Sequence, residues 1–118
     1  MNILVFGSED EIEHFLDLMD SSEHYMFRKK SYTEASDYDD FLKGLKSPQD
    51  IIFVIENGAR GMESVIASRD ICPQTPVVWF SDDKNFGAQS YRLGAEYFGT
   101  KPITNEHLAL ASKKLRLC

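Results

Sequence analysis

Cysteine is scarce in this chain: Cys72 and Cys118 are the only two. They give neither the paired spacing of a zinc set nor a framework of several bridges, so unpaired thiols in a reducing compartment are expected. No apolar run approaches the roughly 20 residues that a membrane helix needs. The stretch from Met1 to Phe6 is too short for a signal peptide and lacks its basic flank, and a cytoplasmic protein is expected. Positive charge is in deficit. With 13 Lys and Arg against 19 Asp and Glu, the net charge of -6 would repel a phosphate backbone, so direct binding of nucleic acid by this segment is not expected. Gly-x-Gly-x-x-Gly and P-loop patterns are absent. Ser8 has no histidine at a readable spacing to act as its base, and His14, His24 and His107 stand at no metal-ligand spacing. No internal repeat, low-complexity tract or linker interrupts the chain, and Ser47-Pro48-Gln49 reads as a turn.

What is present suits one domain over residues 1–118. Hydrophobic residues make up 42% of the 118, with eight Phe, five Tyr and one Trp, which is enough to fill a single core. Ile3 to Phe6, Ile51 to Ile55 and Val77 to Phe80 are continuously apolar and rich in β-branched or aromatic residues. Continuous apolarity means that both faces are covered, as in the central strands of a parallel sheet. Tyr97-Phe98 offers a shorter strand. Tyr25 to Tyr32 offers another, and Arg28, Lys29 and Lys30 within it suit a sheet edge.

Between the strands the period becomes helical. Ile12, Phe15, Leu16 and Met19 form one apolar stripe, and Tyr38, Phe41, Leu42 and Leu45 repeat the spacing. Met62, Val65 and Ile66 begin a third stripe, Phe86 to Leu93 form a fourth ending before Gly94, and Leu108, Ala111 and Leu115 form a fifth. Ser36 with Asp39 resembles a capping box, Thr104 suits the last helix's N-terminus, and Lys113, Lys114 and Arg116 suit its C-terminus. Five alternations of strand and helix, with right-handed crossovers, predict a doubly wound α/β fold with five helices, a five-stranded parallel sheet of order 2-1-3-4-5. Functional groups in such a sheet gather at the carboxyl ends of the strands. That selects Gly7, Ser8, Glu9 and Asp10, then Glu56 and Asn57, then Ser81 to Asp83, then Lys101.

Four segments at these positions carry a resemblance. Glu11-Ile12 with Phe15-Leu16, Gly61-Met62-Glu63, the run from Thr75 to Ser81, and the run from Gly94 to Pro102 with its Lys101-Pro102 pair resemble, in register, the receiver domain of bacterial two-component response regulators. The resemblance covers essentially the whole chain and implies the flavodoxin-like receiver fold. The segment from Phe86 to Ala95 is further similar to receivers attached to LytTR-type DNA-binding domains, which would place a DNA-binding output outside these residues.

The resemblance also implies a pocket. Its acid pair falls on Gly7 and Ser8, one with no side chain and one with a neutral hydroxyl, so magnesium, which demands oxygen ligands, would bind weakly or not at all. Glu9 and Asp10 are substitute acids on one reading and helix N-terminal charges on the other. The phosphoacceptor position falls on Glu56 when counted back from Gly61, or on Ile55 when counted forward from Asp50. Glu56 is favoured because Ile55 completes an apolar strand. Lys101 is expected to face Glu56 as its cation, Ser81 to supply the sensing hydroxyl, and Phe98 to hold the switch aromatic position. Strand-end serine and core phenylalanine are the plainer readings of the last two. Asp82 and Asp83 read either as extra cation ligands with Glu56 or as a solvated pair.

The implied activity is signal transduction rather than enzymatic catalysis, without a cofactor. A phosphate-independent receiver would act on a protein partner or an output domain. A homodimer through the fourth helix, fifth strand and fifth helix, including Tyr91, Arg92, Glu96 and His107, is one form of that contact. A working phosphoacceptor using Glu9, Asp10 and Glu56, and a small flavodoxin-like ligand-binding module, are the alternatives.

Overall fold

A computed structural model describes residues 1–21 and 30–115. Among them the chain alternates strand and helix throughout: β1 (Asn2–Gly7), α1 (Glu9–Ser21), β2 (Ser31–Ala35), α2 (Tyr38–Leu45), β3 (Ile51–Ile55), α3 (Gly58–Ile71), β4 (Val77–Ser81), α4 (Gly87–Arg92), β5 (Tyr97–Thr100) and α5 (Asn105–Leu115). A 3-10 turn, Lys84–Phe86, leads into α4. The five strands are all parallel, in the order β2-β1-β3-β4-β5.

The apolar runs follow from this layering. Alternate residues of each central strand enter opposite cores. Ile3, Val5, Phe53, Ile55 and Phe80 pack with Ile12, Phe15 and Met19 of α1 and Leu108 and Ala111 of α5. Leu4, Phe6, Val54 and Trp79 pack on the other side with Phe41 and Leu45 of α2 and Val65 of α3. Every residue of β3 and β4 is buried, as two-sided coverage requires.

β2 lies at the edge, and only Ala35 of it is fully buried. The expected strand from Tyr25 to Tyr32 is corrected at its end: among the described residues pairing runs from Ser31 opposite Asn2 to Ala35 opposite Phe6, three residues beyond Tyr32. Residues 25–29 of that expectation lie outside the described residues, as do His24, Arg116 and Cys118. An edge strand needs only one apolar face, so its sequence gives a weak signal. The cap of α2 is corrected too. Asp37, not Ser36, accepts the Asp40 amide at 2.8 Å. At α5 the expectation holds: Thr104 Oγ1 accepts the His107 amide, and His107 Nδ1 accepts the Thr104 amide, each at 3.2 Å.

Candidate functional site

The carboxyl ends of β1, β3, β4 and β5 converge, and each expected residue stands there. Gly7 ends β1 opposite Ile55. A Cβ on Gly7 would sit 2.8 Å from the Ile55 carbonyl oxygen and 3.0 Å from the Ile55 Cβ, so the approach of the two strands leaves no space for a side chain. Ser8 is the N-cap of α1. Its carbonyl accepts the Ile12 amide at 2.9 Å and its hydroxyl accepts the Glu11 amide at 3.3 Å. The same hydroxyl donates to Glu11 Oε1 at 3.0 Å. Glu9 and Asp10 are exposed in the first turn, where negative charge suits the helix dipole.

Lys101 pairs with Glu11 through Oε2, and the expected Lys101–Glu56 pair is corrected on that point. The ion pair is partly shielded, with Lys101 14% and Glu11 34% exposed. The sequence reading used Glu11 only to mark the start of the first helix and gave it no part in the pocket, although Ser8-x-x-Glu11 is a capping-box spacing. With one carboxylate oxygen on the helix cap and the other on the lysine, Glu11 joins α1 to the turn after β5. The Lys101-Pro102 peptide bond in that turn is cis, and the Lys101 amide extends the β4–β5 pairing by donating to the Ser81 carbonyl at 2.9 Å.

Glu56 lies one residue beyond β3 and is half-buried. Its carbonyl accepts the Trp79 indole N–H at 2.8 Å. Burial pushes its carboxyl above the usual range, Arg60 and Lys101 oppose that shift, and Glu11 adds to it. The surroundings therefore weaken a negative charge at Glu56 rather than fix it.

Asn57 turns its Oδ1 to the Asp82 amide at 3.0 Å and caps α3 by its backbone position alone. Ser81 is fully buried, and its Oγ accepts the Asp83 amide at 3.3 Å and the Gly58 amide at 3.5 Å. Asp83 accepts the Asn85 amide at 2.9 Å, capping the 3-10 turn. Phe98 meets Trp79 edge-on with ring centroids 5.2 Å apart. Among the described residues no three His, Cys, Asp or Glu side chains are grouped in a way that could hold a metal ion.

α3 begins at Gly58, so Gly61-Met62-Glu63 lies within the helix, with Gly61 packed against the Glu56 carbonyl and the Trp79 indole. Of the expected docking residues, Tyr91, Arg92 and Glu96 are exposed. His107 is committed to the α5 cap, with its ring 5.7 Å from that of Phe80.

No protein-family model matches the chain, and no curated protein matches it. Solved structures do match along nearly its whole length. A response regulator receiver domain protein from Clostridium thermocellum is 19% identical, with 97% of this chain and 92% of that one covered at a TM-score of 0.76. The bacteriophytochrome response regulator AtBRR is 16% identical, with 99% and 93% covered at 0.79. The pilus assembly protein CpaE from Caulobacter crescentus CB15 is 15% identical, with 97% and 98% covered at 0.74. At such identities the likeness carries the backbone arrangement and not the chemistry placed on it. The chain has the receiver fold, with a strand-end pocket in which glycine, serine and an intramolecular ion pair stand among the converging loops.

Proposed function

We propose that the chain is a receiver-type signal-transduction domain that works without phosphorylation, by protein–protein contact, and that it regulates an attached or partner DNA-binding output domain from the cytoplasm. The observation that carries this reading is the closed position at Gly7. A receiver that captures magnesium needs oxygen ligands beside the phosphoacceptor. Here the first such position has no room for a Cβ, the second is spent on capping α1, and Glu56 is a half-buried glutamate held above the usual carboxyl range. Receiver-fold neighbours described as response regulators support the signalling class, while CpaE has the same fold in a pilus assembly protein, so the fold alone does not name the output.

Tyr91, Arg92 and Glu96 form the exposed part of the surface assigned to partner or homodimer contact, beside His107 at the cap of α5. The experiment is incubation with magnesium and acetyl phosphate followed by intact mass measurement. No added phosphoryl mass is expected. A stable adduct would transfer the function to the phosphoacceptor reading through Glu9, Asp10 and Glu56, and a chromophore co-purifying with the protein would transfer it to a flavodoxin-like ligand module.

A further inference from the structure

Two contacts tie α1 to the turn between β5 and α5. Glu11 holds Lys101, and one helical turn later His14 Nε2 lies 2.9 Å from the Ile103 carbonyl oxygen. A carbonyl only accepts, so Nε2 carries the proton. Between the two ties runs an open groove of about 400 Å³ with largely apolar walls that include Ile55, Pro102 and Ile103. Asp10 and Glu11 stand on its rim. Asp10 is exposed and its carboxylate has no hydrogen bond or ion pair among the described residues, so the lining holds two carboxylates against the single ammonium of Lys101.

We propose that this groove is a docking site for an arginine side chain of a partner protein. The aliphatic stem lies on the apolar wall and the guanidinium spans Asp10 and Glu11. Arginine fits better than lysine because its planar fork reaches two carboxylates at once and is less strongly hydrated, whereas an ammonium is a compact point charge. Net negative charge at the rim selects a cation, and the apolar wall excludes a bare ion as the whole ligand. Docking draws Glu11 away from Lys101. One of the two ties is then lost, and the turn that carries the Thr104–His107 cap of α5 loosens. Ligand binding at the mouth of the sheet is thereby passed to α5 with no phosphoryl group.

The test is an NMR titration of the intact chain with an acetylated, amidated Leu-Arg dipeptide, beside its Leu-Lys counterpart. Saturable shifts are expected at Asp10, Glu11, His14 and Ile103, together with faster amide exchange over residues 101–107. Asp10→Asn and Glu11→Gln should each weaken binding at least about tenfold. Asp10→Asn removes no recorded contact, so it reads binding with the fold intact. Equal binding of the lysine peptide, shifts elsewhere on the surface, binding that both variants leave unchanged, or unaltered exchange over residues 101–107 would each overturn the proposal. No phosphoryl transfer enters this titration, so its outcome is separate from that of the acetyl phosphate experiment.

Discussion

At Glu56 burial outweighs the two neighbouring cations, and the sign of the effect follows from which protonation state the fold favours. A carboxyl raised on folding contributes stability that is fully present below its ordinary value and is lost as pH rises through the raised value. At neutral pH the native state therefore bears the cost of a half-buried charge. Glu56→Gln is expected to raise the melting temperature at pH 7, with the gain shrinking as pH falls below the ordinary carboxyl range. Thermal melts of both proteins at pH 7 and pH 4 check this, and a variant less stable than the parent at pH 7 contradicts it. Ser8→Ala removes the cap of α1 and should cost about 0.5–2 kcal/mol in denaturant unfolding. Gly7→Asp should not create a magnesium site, because its Cβ already collides with the Ile55 backbone; overpacking there should cost about 1–3 kcal/mol. Calorimetric titration with magnesium reads the first effect and urea unfolding the second.

At the scale of elements, the start of α3 sets the packing beside the pocket. Helix begins three residues after β3 ends, and Gly61 in its second turn allows the helix to approach Trp79. A Cβ on Gly61 would collide with both the Glu56 carbonyl oxygen and the indole nitrogen. Gly61→Ala should therefore break the indole hydrogen bond and lower stability by about 1–3 kcal/mol, although alanine is the better helix former. Trp79 fluorescence through a urea titration gives both results, and an unshifted emission maximum with unchanged midpoint contradicts the account. The central strands were legible in sequence because two-sided burial writes an unbroken apolar run. β2 was not, since it buries one face and its remaining requirements are met by backbone pairing to β1. The stripes of α1, α2 and α5 were legible because a helix that buries one face repeats apolar residues every three or four positions: Ile12, Phe15 and Met19 all meet the sheet.

For the molecule as a whole, the two cores share the same strands, and neither can be lost while the other persists. Unfolding is expected to be one cooperative transition, with Trp79 fluorescence and far-ultraviolet circular dichroism giving coincident midpoints. Separate midpoints would show that the α1–α5 layer and the α2–α3 layer melt independently. Residues 7, 8, 56, 81 and 101 could be assigned to strand ends from sequence because strand order and crossover handedness leave few topologies. Which of them touch could not, since a lysine side chain reaches several carboxylates and linear spacing does not rank them. By itself the sequence determined the layered α/β architecture and the sheet order, because these follow from apolar period and the alternation of strand and helix. Only the tertiary structure decided that Lys101 pairs with Glu11, that Gly7 is closed to any side chain and that Glu56 sits in surroundings unfavourable to its charge. Each of those depends on distances between segments remote in the chain, fixed when the strands pack side by side.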